Sequence, residues 1–163
     1  MIAAREALDD ALKVASEMGY VRLGAVVMCN LGILYEALFD PDSAREHYES
    51  ALVGARDLRD RRSEGQFLTY LGTLNARQGR FDEAWNCLSA GERLLTEVSD
   101  QLSLGVLLCS SAEAKHLAGD SNAATKQLRR ATALAEEVGA GAESELGLAL
   151  ARVQALLHQP LLA

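Results

Sequence analysis

A forty-residue period runs through this chain and leaves few architectures open to it. Asn30-Leu31-Gly32-Ile33-Leu34-Tyr35, Tyr70-Leu71-Gly72-Thr73-Leu74-Asn75 and Ser110-Ser111-Ala112-Glu113-Ala114-Lys115 are imperfect copies of one segment at that spacing. A fixed period of this size marks a solenoid, in which each unit buries its apolar face only against its neighbours. A second stripe keeps the same register. Ala4, Leu8, Ala11, Ala15 and Met18 recur as Ala44, Tyr48, Ala51, Ala55 and Leu58, as Ala84, Leu88, Gly91, Leu95 and Val98, and as Ala124, Leu128, Ala131, Ala135 and Val138. Steps of four and three place each set on one face of a helix. Its small residues let a neighbouring backbone come close.

Between these helices the pattern predicts a second set over 21–38, 61–78, 101–118 and 142–158. The breaks fall where helical hairpins need them. Asp40-Pro41 offers an N-cap and the first helical position that proline tolerates, and Asp120 is a further N-cap. Gly19, Gly79, Gly119 and Gly139 suit C-terminal caps. The expected all-α chain therefore has eight helices in a single solenoid: a half repeat 1–19, repeats 21–60, 61–100 and 101–140, and a terminal half repeat 141–163. Arg152 stands where the period has Gly32, Gly72 and Ala112, so a long cation would obstruct a following helix. The last helix is expected to act as a cap, stopped by Pro160. At the opposite edge Ala3, Ala7 and Val14 would be exposed on the first helix, where another subunit or an upstream segment could meet them.

Composition removes other classes. A formal charge of −7 disfavours nucleic-acid and anionic-membrane surfaces, which need a basic face. Cys29, Cys87 and Cys109 have no zinc-ligand spacing and fit a reduced, cytoplasmic setting. Acidic residues recur at Glu17, Asp57, Glu97 and Glu137, as solvated surface or as interhelix pairs. The Arg56–Arg62 run, mixed in sign, reads as a solvated turn. Cys109, Glu113 and His116 share one helical face, yet the cysteine and histidine are about 10 Å apart along the axis, too far for a Cys-His pair. No phosphate loop, nucleophile elbow or paired-carboxylate motif is present, so no catalytic residue, metal or cofactor is assigned and the chain is not expected to be an enzyme.

Met28-x-x-Leu31-Gly32-x-x-Tyr35 followed by Ala44-x-x-x-Tyr48, and Leu68-x-x-Leu71-Gly72 followed by Gly79-x-Phe81 and Ala84-x-x-x-Leu88, resemble the tetratricopeptide (TPR) repeat. The period of forty departs from the family's usual thirty-four by about one to two helical turns per pair. The tryptophan of the motif is replaced by Met28, Leu68 and Leu108, and the repeat-ending proline is absent. Such long repeats are similar to those of kinesin light chains and of bacterial signalling regulators that join a repeat array to a kinase, an ATPase or a DNA-binding domain. The resemblance implies a right-handed α-solenoid that binds a peptide or partner domain in its concave groove, as the sensing or docking part of something larger. It implies a lining of Val26, Cys29, Asn30, Ile33 and Glu36; of Gln66, Thr69, Tyr70, Thr73 and Arg77; and of Val106, Cys109, Ser110, Glu113 and His116. Asn30 and Tyr70 either anchor a ligand or hydrogen-bond neighbouring helices. Arg77 alone does not make the basic cluster that clamps a C-terminal carboxylate, so the expected partner is an extended or helical segment on a mixed surface. The alternative is an assembly scaffold that self-associates through its terminal helices and leaves the groove empty.

Overall fold

The structure is a computed structural model that describes residues 2–158. Among the described residues the chain forms eight α-helices and no strand: α1 (Ile2–Glu17), α2 (Val21–Ala37), α3 (Pro41–Asp57), α4 (Arg61–Arg77), α5 (Phe81–Glu97), α6 (Gln101–Leu117), α7 (Ser121–Val138) and α8 (Glu145–Leu157). Helices α2 and α3, α4 and α5, and α6 and α7 pack most closely and form three hairpins, with α1 and α8 as single helices at the two ends. Consecutive hairpins stack, which makes the chain an α-solenoid. The proline expected to stop the last helix, Pro160, lies outside the described residues.

The turns repeat twice as often as the hairpins. Residues 19, 39, 59, 79, 99, 119 and 139 all have left-handed backbone, with φ between 53° and 85°. At each one the next residue's N–H donates to the carbonyl five positions back, as in Tyr20 to Ala15 at 2.8 Å and Asp60 to Ala55 at 2.9 Å. That bond satisfies a carbonyl left over at the helix end. Glycine occupies four of the seven positions, but Phe39, Arg59 and Ser99 hold the other three against the preference of L-residues. Asp40, Asp60, Asp100 and Asp120 then cap the following helices through the N–H three residues on. Each of the first six turns thus closes one helix and opens the next within three residues.

Packing inside a hairpin depends on residues without side chains facing large ones. A Cβ at Gly32 would come within 2.5 Å of the Tyr48 ring, and one at Gly72 within 2.8 Å of Leu88. Tyr48 is fully buried and stacks on Tyr70 at 5.7 Å between ring centres. Where later copies have Leu88 and Leu128, this phenol fills space between the first two hairpins. Helix α2 touches α4 only marginally, whereas α6 packs firmly on both α4 and α8.

Helix α8 departs from the repeat. It begins at Glu145, not near residue 142, after a loop whose Ser144 accepts from the Gly147 N–H at 3.1 Å. Gly147 lies directly beneath the carbonyls of Gly141 and Ala142, where no side chain fits. Leu146, Ala149 and Val153 are buried against Leu108, Cys109, Ala131 and Ala135. The period would have turned Leu146, Ala149, Leu150 and Val153 toward the concave side; instead Glu145, Leu148 and Arg152 face it beside Ala149. The helix is therefore turned by one residue, roughly 100°, from the expected register.

Two outcomes follow. Phe39 is 94% exposed, so Phe39→Gly removes left-handed strain without loss of packing and should raise stability by about 1 kcal/mol in urea or thermal unfolding. The Asp100 carboxyl is desolvated, which alone would raise its pKa, but the Ser103 hydroxyl and amide and the Arg62 guanidinium hold it below the usual carboxylate value. The depressed folded-state pKa means that ionised Asp100 stabilises the fold above the unfolded pKa of about 4, and that this contribution is lost as pH falls further. Asp100→Asn keeps a cap but not the titration. It should therefore show a shallower loss of stability below about pH 4 than the parent chain.

Candidate concave groove

The concave side is a groove of about 490 Å³ between α2, α4, α6 and α8. A smaller pocket of about 160 Å³ adjoins it, and Thr69, Tyr70, Val106 and Glu145 line both. The helix starts and caps described above set which residues reach this side. Ile33, Val106 and Leu148 supply apolar surface, and Ile33 and Leu148 are exposed. The Tyr70 hydroxyl donates to Glu145 Oε1 at 3.2 Å, across 75 residues of sequence. Burial first, and then the Glu145 charge, push the Tyr70 phenol above its ordinary pKa, so it stays a neutral donor.

One wall of the groove is a row of charges of alternating sign. Arg77 Nε donates to Glu113 Oε1 at 2.7 Å, and Arg77 Nη1 lies 3.3 Å from Glu36 Oε1. Glu36 Oε2 accepts from the Tyr48 hydroxyl at 2.9 Å. On the far side Arg152 Nη2 is 3.3 Å from Glu113 Oε2, a Coulombic contact without hydrogen-bond alignment. Glu36, Arg77, Glu113 and Arg152 therefore link α2, α4, α6 and α8 in sequence. Desolvation opposes the charge on Arg77, but the Glu113 hydrogen bond and the field of both glutamates outweigh it and raise its pKa. Both groove cations are engaged within the chain. Arg77 is hydrogen-bonded to both glutamates, whereas the half-exposed Arg152 makes the Coulombic contact alone.

The residues expected in the lining fall in three places. Ile33, Glu36, Thr69, Tyr70, Thr73 and Arg77 border the main groove, with Val106 and Ser110. Asn30, Gln66, Val26 and Cys29 border the smaller pocket, where Gln66 donates to the Ser103 hydroxyl at 2.8 Å. Asn30 makes no side-chain hydrogen bond among the described residues, while Tyr70 bonds a neighbouring helix. The Thr69 and Thr73 hydroxyls are satisfied by the carbonyls of Gly65 and Thr69, at 2.9 and 2.8 Å.

Cys109 and His116 are corrected. Helix α6 is enclosed by α4, α5, α7 and α8, so both side chains are buried away from the groove. Burial pushes the Cys109 thiol up to about 12, which leaves it protonated at neutral pH and unsuited to be a nucleophile. Glu113 is also buried and serves as the centre of the charge row. No cluster of metal-ligating side chains occurs among the described residues, and no helix there is long and apolar enough to cross a membrane. The groove residues missed by the sequence reading are Ala37 at the end of α2, and Glu145, Leu148, Ala149 and Arg152 on α8.

Arg77→Ala leaves a buried carboxylate with one poorly aligned partner. It should destabilise the chain by about 2 kcal/mol in urea denaturation, and adding Glu113→Gln should recover part of that loss.

No protein-family model matches this sequence, and comparison with curated proteins finds no match. The groove is therefore defined by its own geometry.

Proposed function

We propose that the chain is a protein-interaction module of TPR type that holds a peptide or partner segment in the concave groove, as the sensing or docking part of a larger signalling or regulatory protein. The observation that carries this is the groove itself. It offers exposed apolar side chains beside cations that the chain has already neutralised. Such a surface favours a segment with apolar side chains over a free C-terminal carboxylate. Glu145 is the lining carboxylate whose partner is a phenol and not a cation, so a basic or hydrogen-donating group fits opposite it. No catalysis is assigned to the chain.

A second reading, assembly through the ends, has one observation in its favour: Ala3, Ala7 and Val14 are exposed along one edge of α1. Affinity capture with the immobilised chain, followed by binding measurements on the recovered partner, separates the two. Ile33→Arg and Leu148→Arg should each weaken the partner at least tenfold with unchanged helicity, while Val14→Arg has no effect. A partner that ignores both groove variants and is lost with Val14→Arg would sink the groove reading and support the scaffold.

A further inference from the structure

The smaller pocket beside the groove carries a negative charge in its wall and no positive one. Val26, Phe67 and Val106 form its apolar sides, while Asn30, Gln66 and Glu145 supply polar atoms from α2, α4 and α8. Among the described residues no Lys, Arg or His lines it. Arg152, two turns beyond Glu145 on α8, faces the main groove and is held beside Glu113. The Glu145 charge is felt inside the pocket. Burial first, and then Glu145 ahead of Glu36, push the Cys29 thiol up to about 12.

The polar atoms of this wall are acceptors that the chain's own hydrogen bonds leave over. The Ser103 hydroxyl donates its one proton to Asp100 Oδ2 at 2.7 Å, so toward Gln66 it acts as the acceptor, taking a hydrogen bond from Nε2 at 2.8 Å. That fixes the amide and leaves the Gln66 carbonyl oxygen without a donor among the described residues. Glu145 accepts from the Tyr70 phenol through Oε1 and has Oε2 in reserve. The Asn30 amide is likewise unspent. Three acceptors on three helices thus border one pocket.

We infer that this pocket receives a lysine side chain of the partner segment, with its four-carbon stem along Val26, Phe67 and Val106 and its ammonium group among Asn30, Gln66 and Glu145. An ammonium group carries three N–H donors, one for each acceptor. The stem buries apolar surface while the head keeps polar partners. Arginine fits less well, because its planar fork matches both oxygens of one carboxylate and Glu145 Oε1 already accepts from Tyr70. Thr69, Tyr70, Val106 and Glu145 border pocket and groove alike, so a segment seated on Ile33 and Leu148 reaches the pocket along a continuous surface. The lysine pocket rests on the groove reading proposed above and adds the contact that gives it selectivity.

Four sets of degenerate, apolar-rich peptides of about nine residues, identical except for a central lysine, arginine, norleucine or glutamate, test this on the immobilised chain. Norleucine keeps the lysine stem and lacks its charge. The lysine set should be retained about tenfold better than the norleucine set, and better than the arginine set, with glutamate weakest. Glu145→Gln, at an exposed position, should bring the lysine and norleucine sets within about twofold of each other at unchanged helicity, and Glu145→Lys should reverse the order of lysine and glutamate. Ile33→Arg should weaken every set. Retention that is lost with Ile33→Arg but equal for lysine and norleucine, or a lysine preference that survives Glu145→Gln, overturns the lysine pocket and leaves the groove reading standing. Retention that ignores Ile33→Arg, or retention of no set at all, overturns both. Displacement of the lysine set by an equal concentration of spermidine would assign the pocket to a small free amine and overturn the docked side chain.

Discussion

The left-handed turn at every twentieth residue is the constraint on which the rest of this structure depends. A helix that closes in a left-handed cap and reopens within three residues must reverse direction, and equal spacing of the caps gives helices of nearly equal length. Only then can Gly32 sit beneath Tyr48 and Gly72 beneath Leu88 in equivalent positions. A turn displaced by one residue would rotate the next helix by about 100° and present side chains where the partner needs bare backbone. Helix α8 supplies an internal demonstration. Its start is delayed by the 140–144 loop, its register moves, and the surface that it offers to the groove changes from Leu146, Leu150 and Val153 to Glu145, Leu148 and Arg152.

Much of the fold was legible because packing in a solenoid is local. Each repeat writes its own small-residue stripe, and the same stripe forty residues on confirms it. The glycine caps and Asp40 were readable for the same reason, since both are local backbone devices. Phe39, Arg59 and Ser99 were not, because no side-chain chemistry of theirs favours a left-handed backbone and only the spacing of their neighbours places them there. Asp60 and Asp100 carried a usable signal, a serine three residues on, which also follows Asp40.

The site was less legible than the fold. Extrapolation by forty residues treats every helix as equally exposed on its concave side. That holds for Tyr70, Thr73 and Arg77 on α4 and for Val106 and Ser110 on α6, but fails for Cys109 and His116, which α6 buries against its neighbours. The role of Glu113 depended on Arg152, and Arg152 reaches it only because α8 is turned. A change in loop geometry five residues long was enough to place Arg152, an expected obstruction, in the lining of the groove.

The row Glu36, Arg77, Glu113 and Arg152 has an evolutionary consequence. Solenoids commonly change length by gain or loss of whole repeats. Here deletion of the α4–α5 hairpin would leave Glu36 facing Glu113, and insertion of one further copy of it would set two arginines side by side. Removal or addition of two hairpins together would preserve the alternation. An array stitched by opposite charges thus carries a parity rule: it tolerates changes by two repeats and resists changes by one.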